Sequence, residues 1–561
     1  MRLHPMTRTY RALGLACVAW LAITTTTVQA KQDELTVGIT QYPATLHPSI
    51  QTMLAKTYVL AMVRRPITLY NHDWNLECML CTKLPSLDDG SAVIEDLPDG
   101  KKGIAVTYTL DAKAVWGDGT PITTKDVMFT WEVGREPLAG VAGQEQYRRI
   151  LSIDVHDDKT FTMHIDRVTF DYASINGFAL LPEHLERAQF EPDPKAYRNR
   201  SLYETDPTNP GLYFGPFVIS EVSRGSHVVL SHNPRWWGKA PQFKRIVVKA
   251  IEKTAALEAN LLSGGVDYIA GELGLPIDQA IAFEKRHGKR FNVAYKSGLI
   301  YEHIDLNLDN PFLQDLRVRQ ALLYGVDRNA ISKKLFDSRQ PVAHGNVNPL
   351  DWMYDQEIPK FDYDPVKAKS LLDEAGWRPG AGGIRVNAKG EKLSLELMTT
   401  AGNRTRELVE QILQSQWRNI GIDIRIRNEP ARVFFGQTVR QRKFTGLGMY
   451  AWISSPESVP RSTLHSTRIP TADNGWSGQN TTGYTSKRMD ELLDEIELEL
   501  DRARRASLWR ELQRLYVTDL PVLPLYFRAN AFIMPKWLSG VRPTGHQFSS
   551  SLWVEDWKRT P

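Results

Sequence analysis

Hydrophobic and polar residues alternate near the middle of the chain, and the pattern then becomes helical. Ile304, Leu306 and Leu308 alternate with polar residues, which is typical of a strand with one buried face. Asp315 follows as a helix N-cap, because its carboxylate can accept hydrogen bonds from the free backbone N–H groups of a first turn. Apolar residues then recur at i, i+3, i+4 and i+7 from Val318. The pattern predicts a strand that leads into a helix of an α/β layer.

The same alternation of strands and helices is predicted elsewhere. Residues 106–131 indicate a strand, a turn and a helix, and the helix starts with a capping box at Thr123–Asp126. A helix is predicted at 404–419, between strands at 393–399 and 421–426. Helices that connect strands in this way are typical of a mostly parallel sheet.

Length and composition favour a globular protein with more than one domain. The chain has 561 residues, of which 42% are hydrophobic and 24% are charged. This length exceeds what one ordinary core can organise. The formal net charge is +4, and three of the positive charges belong to Arg2, Arg8 and Arg11. We expect no nucleic-acid partner, because no basic stripe with interleaved aromatic residues is present.

The N-terminus has the features of an export signal. The three arginines precede an apolar stretch at 12–23, and Val28–Ala30 places small residues where a signal peptidase reads. We predict a signal peptide over residues 1–30, cleaved near Ala30. An uncleaved membrane anchor is the alternative, although the stretch is shorter than the ~20 residues that span a bilayer. Cys17 lies inside the apolar stretch, which argues against a lipoprotein.

Two further cysteines, Cys78 and Cys81, form a C-x-x-C motif. In an oxidising compartment a local disulfide is the first expectation. The alternatives are a thioredoxin-like redox motif and half of a zinc site. No second C-x-x-C or H-x-x-x-H motif completes a zinc ligand set, so no metal is expected.

Several motifs of this chain resemble those of one known family, in the family's order. The run N-x-x-x-P-F-x-x-D-x-R-V-R-Q-A-L-x-Y-x-V-D-R, from Asn307 to Arg328, resembles the central signature of the family 5 extracellular solute-binding proteins. These are the oligopeptide- and dipeptide-binding receptors of ABC importers. Residues 106–131 and the G-L-Y-F-G-P-F run from Gly211 resemble further elements of that family. The resemblance extends from about Leu35 to about Gly540.

The resemblance implies an α/β, two-lobed periplasmic-binding-protein fold with a small extra domain inserted in the first lobe. We expect lobe I to comprise 31–55, 200–300 and 525–561, the inserted domain 56–199, and lobe II 301–524. In such a fold the lobes close around a ligand by hinge motion, and the closed form is presented to the permease subunits of an importer. We therefore expect a monomeric periplasmic binding protein without a cofactor and without enzymatic activity.

The resemblance also places the ligand site around Trp452. In peptide-binding members an aspartate three residues after this tryptophan pairs with the α-amino group of the peptide. This chain has Ser454 and Ser455 in that loop, and its nearest carboxylate is Glu457. An aromatic wall and hydroxyl groups can still hold many ligands. The predicted ligand contacts are Tyr42, Tyr147, Trp452, Ser454, Ser455, Glu457 and Tyr526.

We expect the ligand to be a peptide or a peptide-like solute. Because the usual acid is absent, a glycoside, a metal chelate or heme is the alternative ligand. A sensory receptor or a periplasmic chaperone would share the same motifs, since a fold alone does not fix function. A secreted hydrolase is the remaining class, but the G-x-S-x-G motif of such enzymes is absent from the sequence.

Overall fold

The computed structural model describes residues 33–50, 53–474 and 476–560. The predicted signal peptide, residues 1–30, and its cleavage site lie outside the described residues. Among the described residues, no helix combines the length and the apolar character needed to cross a bilayer.

The strands are named in chain order. They are β1 (Glu34–Ile39), β2 (Thr68–Tyr70), β3 (Leu76–Cys78), β4 (Ala92–Asp96), β5 (Lys102–Thr109), β6 (Ile150–Val155), β7 (Thr160–Ile165), β8 (Phe217–Ser223), β9 (His227–His232), β10 (Arg245–Ala250), β11 (Tyr268–Ile269), β12 (Phe291–Leu306), β13 (Arg378–Pro379), β14 (Arg385–Val386), β15 (Ser394–Met398), β16 (Asp423–Ile426), β17 (Leu447–Ile453), β18 (Val522–Pro535), β19 (Leu538–Ser539) and β20 (Lys558–Arg559).

The α-helices are named in the same way. They are α1 (Leu54–Val63), α2 (Thr124–Arg135), α3 (Gln144–Arg148), α4 (Glu183–Phe190), α5 (Tyr197–Arg200), α6 (Leu202–Thr205), α7 (Thr254–Ser263), α8 (Ile277–His287), α9 (Leu316–Tyr324), α10 (Arg328–Phe336), α11 (Pro365–Glu374), α12 (Arg404–Asn419), α13 (Ala431–Val433), α14 (Arg461–Leu464), α15 (Lys487–Leu498) and α16 (Arg502–Asp519). A π-helical turn follows α13 at Phe434–Val439.

Within the described residues, ten strands form one mixed sheet that runs through both lobes. Its order is β16-β15-β17-β12-β18-β11-β1-β10-β9-β8. By the predicted domain boundaries, strands β15 to β17 belong to lobe II, and β1 with β8 to β11 belong to lobe I. In the lobe I part, β1 is parallel to β10, and in the lobe II part β15 is parallel to β16 and β17. This architecture is the predicted α/β fold.

Two long antiparallel strands, β12 and β18, connect the lobes. Their pairing runs from Phe291 opposite Pro535 to Asp305 opposite Val522. The register shifts between Ser297 and Tyr301, and beyond the shift Tyr301 is paired with Phe527. The lobes therefore meet where both strands pass from one half of the sheet to the other.

A separate four-stranded antiparallel sheet has the order β4-β5-β7-β6 and forms the centre of the small domain. Its buried residues Ile104 and Phe161 belong to the same hydrophobic cluster as Leu35 of β1. The small domain thus shares a core with lobe I, while lobe II has its own large core. The exact domain boundaries given above stay a prediction.

Local sequence signals account for many of the helix starts. Asp315 caps α9 by accepting a hydrogen bond from the Arg317 backbone N–H at 2.9 Å. Thr123 and Asp126 form the predicted capping box of α2. The predicted helix 404–419 is confirmed with the same bounds, between the parallel strands β15 and β16.

The expectation that β12 has one buried and one solvated face is wrong. Asp305 on its polar face is 4% exposed and Asn307, directly after the strand, is 6% exposed. The polar face is covered because residues of β17, α16 and the loop before α15 pack over it. Polar side chains that are buried in this way need hydrogen-bond partners or opposite charges, because burial removes their contact with water.

Candidate functional site

The polar face of β12 lines a cavity in lobe II. Successive side chains of a strand point to opposite faces, so Tyr301, His303 and Asp305 share one face. All three line a cavity of about 300 Å³. Trp452, which is paired with Tyr301 across β12 and β17, and Tyr516 of α16 also line it. The cavity therefore combines aromatic rings with a buried carboxylate.

The Asp305 carboxylate has neutral donors around it. The hydroxyls of Tyr450 and Thr481 both donate to its Oδ2, each at 2.5 Å. Its Oδ1 lies 3.3 Å from His303 Nε2. Burial, together with the charge of Asp305, raises the pKa of Tyr450 well above its usual range, so this hydroxyl stays a donor.

The aromatic rings of this cavity hold one another in place. Tyr301 and His303 are stacked with ring centroids 4.9 Å apart. The hydroxyls of Tyr301 and Tyr516 are 3.1 Å apart. Trp452 packs edge to face on Tyr450, with centroids 5.8 Å apart. Such contacts restrain the rings of the cavity walls, and a restrained wall lowers the entropic cost of binding.

Trp452 also lines a second cavity, of about 840 Å³. Glu145 on α3 of the small domain contributes to it, and the other lining residues belong to lobe II, so the cavity lies between the lobes. Arg440, Arg461 and Arg468 line it, and Glu145 is the only acid among the described lining residues. Arg461 is paired with Asp494 and Glu497, so Arg440 and Arg468 are the lining arginines without such a pair among the described residues.

A group of contacts between the lobes, here called the interlobe clasp, lies apart from both cavities. From the lobe I side, Tyr70 at the end of β2 lies against the Glu457 carboxylate of lobe II, and burial together with that carboxylate raises the pKa of Tyr70. Trp352 Nε1 donates to the same carboxylate. Glu457 is held in the left-handed backbone region at φ 59°, where a non-glycine residue is uncommon.

Phe170 forms the second half of the interlobe clasp. Its backbone N–H donates to the carbonyl oxygen of Glu497 on α15 at 3.0 Å. The Arg505 guanidinium of α16 lies over its ring, 4.6 Å from the centroid. The small domain therefore contacts the last helices of lobe II directly.

The structure brings some of the predicted ligand contacts together and separates others. Trp452 and Ser454 line the smaller cavity, and Ser455 is a neighbour that lines neither. Tyr526 is 3% exposed and packs against Phe336, and Tyr147 is 1% exposed in the core of the small domain. Among the described residues, neither tyrosine lines either cavity.

Tyr42 and Glu457 also lie outside the two cavities. Tyr42 is partly buried against the lobe I core, and this burial raises its pKa. The Glu457 carboxylate is already engaged by Trp352 and Tyr70. Contact of these residues with a ligand stays a prediction. Cys78 and Cys81 are joined by a disulfide.

Sequence reasoning did not single out Tyr301, His303 and Asp305. A signal for them was present, because alternation along β12 places these three residues on one face. The missing information was that this face is covered rather than solvated. Within the described residues, no group of three or more His, Cys, Asp and Glu side chains is arranged to hold a metal ion.

Comparison with known proteins identifies similar chains. The family model described as bacterial extracellular solute-binding proteins, family 5 middle, matches residues 95–471. The oligopeptide-binding protein AppA of Bacillus subtilis (strain 168) is 25% identical over 529 residues, which cover 91% of this chain and 89% of that protein.

Solved structures are similar over nearly the whole chain. The oligopeptide binding protein of Thermus thermophilus, complexed with a pentapeptide, is 28% identical with a TM-score of 0.70, and the match covers 94% of this chain and 96% of that one. NikZ of Campylobacter jejuni in complex with Ni(L-His) is 21% identical with a TM-score of 0.72, and the match covers 94% of this chain and 100% of that one. The second likeness concerns the fold alone.

Proposed function

Because the chain belongs to the family 5 bacterial extracellular solute-binding proteins, we propose that it binds a peptide or peptide-like solute between its lobes and delivers it to an ABC importer. Members of this family are exported binding proteins rather than enzymes, and the chain has a substrate-binding role. The proposed ligand is a peptide or a peptide-like solute, the proposed partner is an ABC importer, and the proposed location is the periplasm.

The observation that carries the proposal is the cavity of about 840 Å³ between the lobes. Its volume is within the range of about 300–1,000 Å³ that is typical of ligand pockets. One wall carries Glu145 of the small domain and the rest belongs to lobe II, so closure of the lobes would enclose a ligand there.

Trp452 is the central ligand contact of the proposal. It lines both cavities and offers a large apolar surface with one N–H donor. Ser454 adds a hydroxyl that can donate or accept a hydrogen bond. The names of the similar proteins from Bacillus subtilis and Thermus thermophilus support a peptide as the ligand class.

Native mass spectrometry tests the ligand class. Protein purified from its exporting host should carry peptides, which are released on denaturation and identified by sequencing. We expect Trp452→Ala to lose them, because the large apolar contact of both cavities is removed. Trp236→Ala is the matched control, since Trp236 lines neither cavity, and it should retain the peptides.

Release of a metal chelate, a glycoside or heme from the wild-type protein would contradict the peptide assignment while preserving a binding role. Delivery to an importer is tested separately. Deletion of the gene should abolish uptake of the identified solute, and normal uptake together with a lost transcriptional response would support a sensory receptor instead.

A further inference from the structure

The two cavities on either side of Trp452 differ in charge. Among the described residues that line the smaller cavity there is no lysine or arginine, and Asp305 is the only carboxylate. The larger cavity has three arginines and one acid. Of these arginines, Arg461 is paired with Asp494 and Glu497. A positively charged group would therefore meet an uncompensated carboxylate only in the smaller cavity, among the described lining residues.

Another buried acid on the same strand, Glu302, has the arginine partners that Asp305 does not have. Glu302 is fully buried and is paired with Arg406 and Arg528, each with a nitrogen 2.6 Å from a carboxylate oxygen. Asp305 is also buried, but among the described residues it has only the His303 ring within ion-pair distance. A buried carboxylate is costly unless an opposite charge compensates it.

The His303 ring lies between the Asp305 carboxylate and a backbone carbonyl. Its Nδ1 lies 3.1 Å from the Tyr301 carbonyl oxygen and its Nε2 lies 3.3 Å from Asp305 Oδ1, so both nitrogens face acceptors. A neutral imidazole carries one N–H and can serve only one of them. A ring N–H at Nε2 can donate to Asp305 Oδ1, but no lysine or arginine of the described residues lies within ion-pair distance of this carboxylate.

The walls above this carboxylate suit a cation on an aliphatic stem. The rings of Tyr301, Trp452 and Tyr516 line the cavity, and aromatic faces attract ammonium and guanidinium groups. The apolar side chains of Leu464 and Val522 also line it, and they can contact the methylene groups of such a stem. A ligand group without a stem, such as an α-ammonium, would leave these apolar surfaces unused.

We propose that the smaller cavity binds a lysine or arginine side chain of the ligand, with its stem against the aromatic walls and its charge at Asp305. The inference rests on the proposed function and names the feature of the peptide that is selected. The rest of the ligand lies in the larger cavity, where Arg440 and Arg468 can contact neutral or acidic groups.

Calorimetry on the full mature chain tests the inference with paired peptides. The probes are Lys-Ala-Ala, Ala-Lys-Ala and Ala-Ala-Lys, and the same three with Nε-acetyl-lysine, each with a free and with an acetylated N-terminus. We expect at least one lysine peptide to bind about tenfold or more tightly than its acetyl-lysine twin, because acetylation removes the charge. The preference should remain when the N-terminus is acetylated.

Two variants assign the effect to Asp305. In Asp305→Asn the ratio between the lysine peptide and its twin should fall to about one. Asp309→Asn is the matched control, since Asp309 lies in the same lobe, has an exposed carboxylate and lines neither cavity. It should keep the wild-type ratio.

Each remaining outcome contradicts a different statement. If peptides bind but every acetyl-lysine twin binds as tightly as its lysine peptide, the inference is wrong and peptide binding stands. If N-terminal acetylation abolishes binding while side-chain acetylation leaves it unchanged, the cavity binds an α-ammonium instead of a side chain. If no peptide of either kind binds, the proposed function fails and the inference fails with it. The wild-type ratio is informative even if Asp305→Asn does not fold.

Discussion

Asp305 and Glu457 are two carboxylates of lobe II that face different parts of the molecule. Asp305 lies on β12 and lines the smaller cavity, with neutral hydroxyls and an imidazole around it. Glu457 lies in the loop after β17, where Trp352 of the same lobe and Tyr70 from outside lobe II engage it. Position in the sequence near the predicted ligand loop favoured Glu457, whereas the geometry favours Asp305.

The two positions imply two different roles: residues of the interlobe clasp act on closure of the lobes, and residues of the cavity act on the choice of ligand. A residue of the interlobe clasp stabilises the closed form, so its loss should weaken the binding of every ligand by the same factor. A residue of the cavity changes the affinity only for ligands whose chemistry it contacts. Substitutions in the two places therefore have distinguishable signatures.

The largest effect is expected from Asp351, which accepts a hydrogen bond from the Glu457 backbone N–H at 3.3 Å. Burial, with a contribution from the Glu457 charge, raises the pKa of Asp351 to about 6. The unfolded value is about 3.9, so between about pH 4 and 6 the folded state binds more protons and stability falls as pH rises, by about 3 kcal/mol in all. Asp351→Asn should lose this part of the pH dependence.

Thermal unfolding of both proteins from about pH 4 to 8 checks the Asp351 prediction. Between about pH 4 and 6 the unfolding temperature of the wild type should fall relative to that of Asp351→Asn, and above about pH 6 the two curves should run parallel. Asp309→Asn should follow the wild-type curve. Parallel curves for the wild type and Asp351→Asn would mean that burial does not raise the pKa of Asp351 in solution.

An intermediate effect is expected from Phe170→Ala in the interlobe clasp. The change removes the contact with the Arg505 guanidinium and part of the apolar surface that closure buries, about 1–2 kcal/mol. Affinity for lysine and acetyl-lysine peptides should fall by the same factor, about 5- to 30-fold, in calorimetry. Leu138→Ala, an exposed position of the small domain, should leave both affinities unchanged. Unequal losses for the two peptides would place Phe170 in contact with the ligand.

The smallest effect is expected from Glu457→Gln. The amide keeps an oxygen acceptor for Trp352 and Tyr70 but loses the charge that strengthens these hydrogen bonds, about 1 kcal/mol. Affinity for every peptide should fall about fivefold, with the lysine to acetyl-lysine ratio unchanged. A changed ratio in calorimetry would return Glu457 to the role of a ligand contact. Glu491→Gln on α15 is the control for loss of an exposed acid.

Much of the fold followed from the sequence because local signals and the hydrophobic period agree. The cap at Asp315, the capping box at Thr123 and the bounds of α12 are examples. The site was predicted only around Trp452 and Ser454.

The rest of the site depends on contacts between distant parts of the chain. Alternation places Asp305 on the polar face of its strand, but only tertiary packing decides whether that face meets water or a cavity. The partners of Glu457 include Tyr70 and Trp352, which lie far from it along the chain. No local pattern of hydrophobic and polar residues reveals such pairs.

Lobe II begins and ends at neighbouring positions of the shared sheet, since Tyr301 is paired with Phe527. A segment whose two ends lie side by side can be exchanged between related genes as one cassette, without a new path for the rest of the chain. Both cavities take their described lining from residues 301–527, with Glu145 as the exception. Recombination at two points would therefore transfer the ligand preference of one protein to another and leave the other lobe in place.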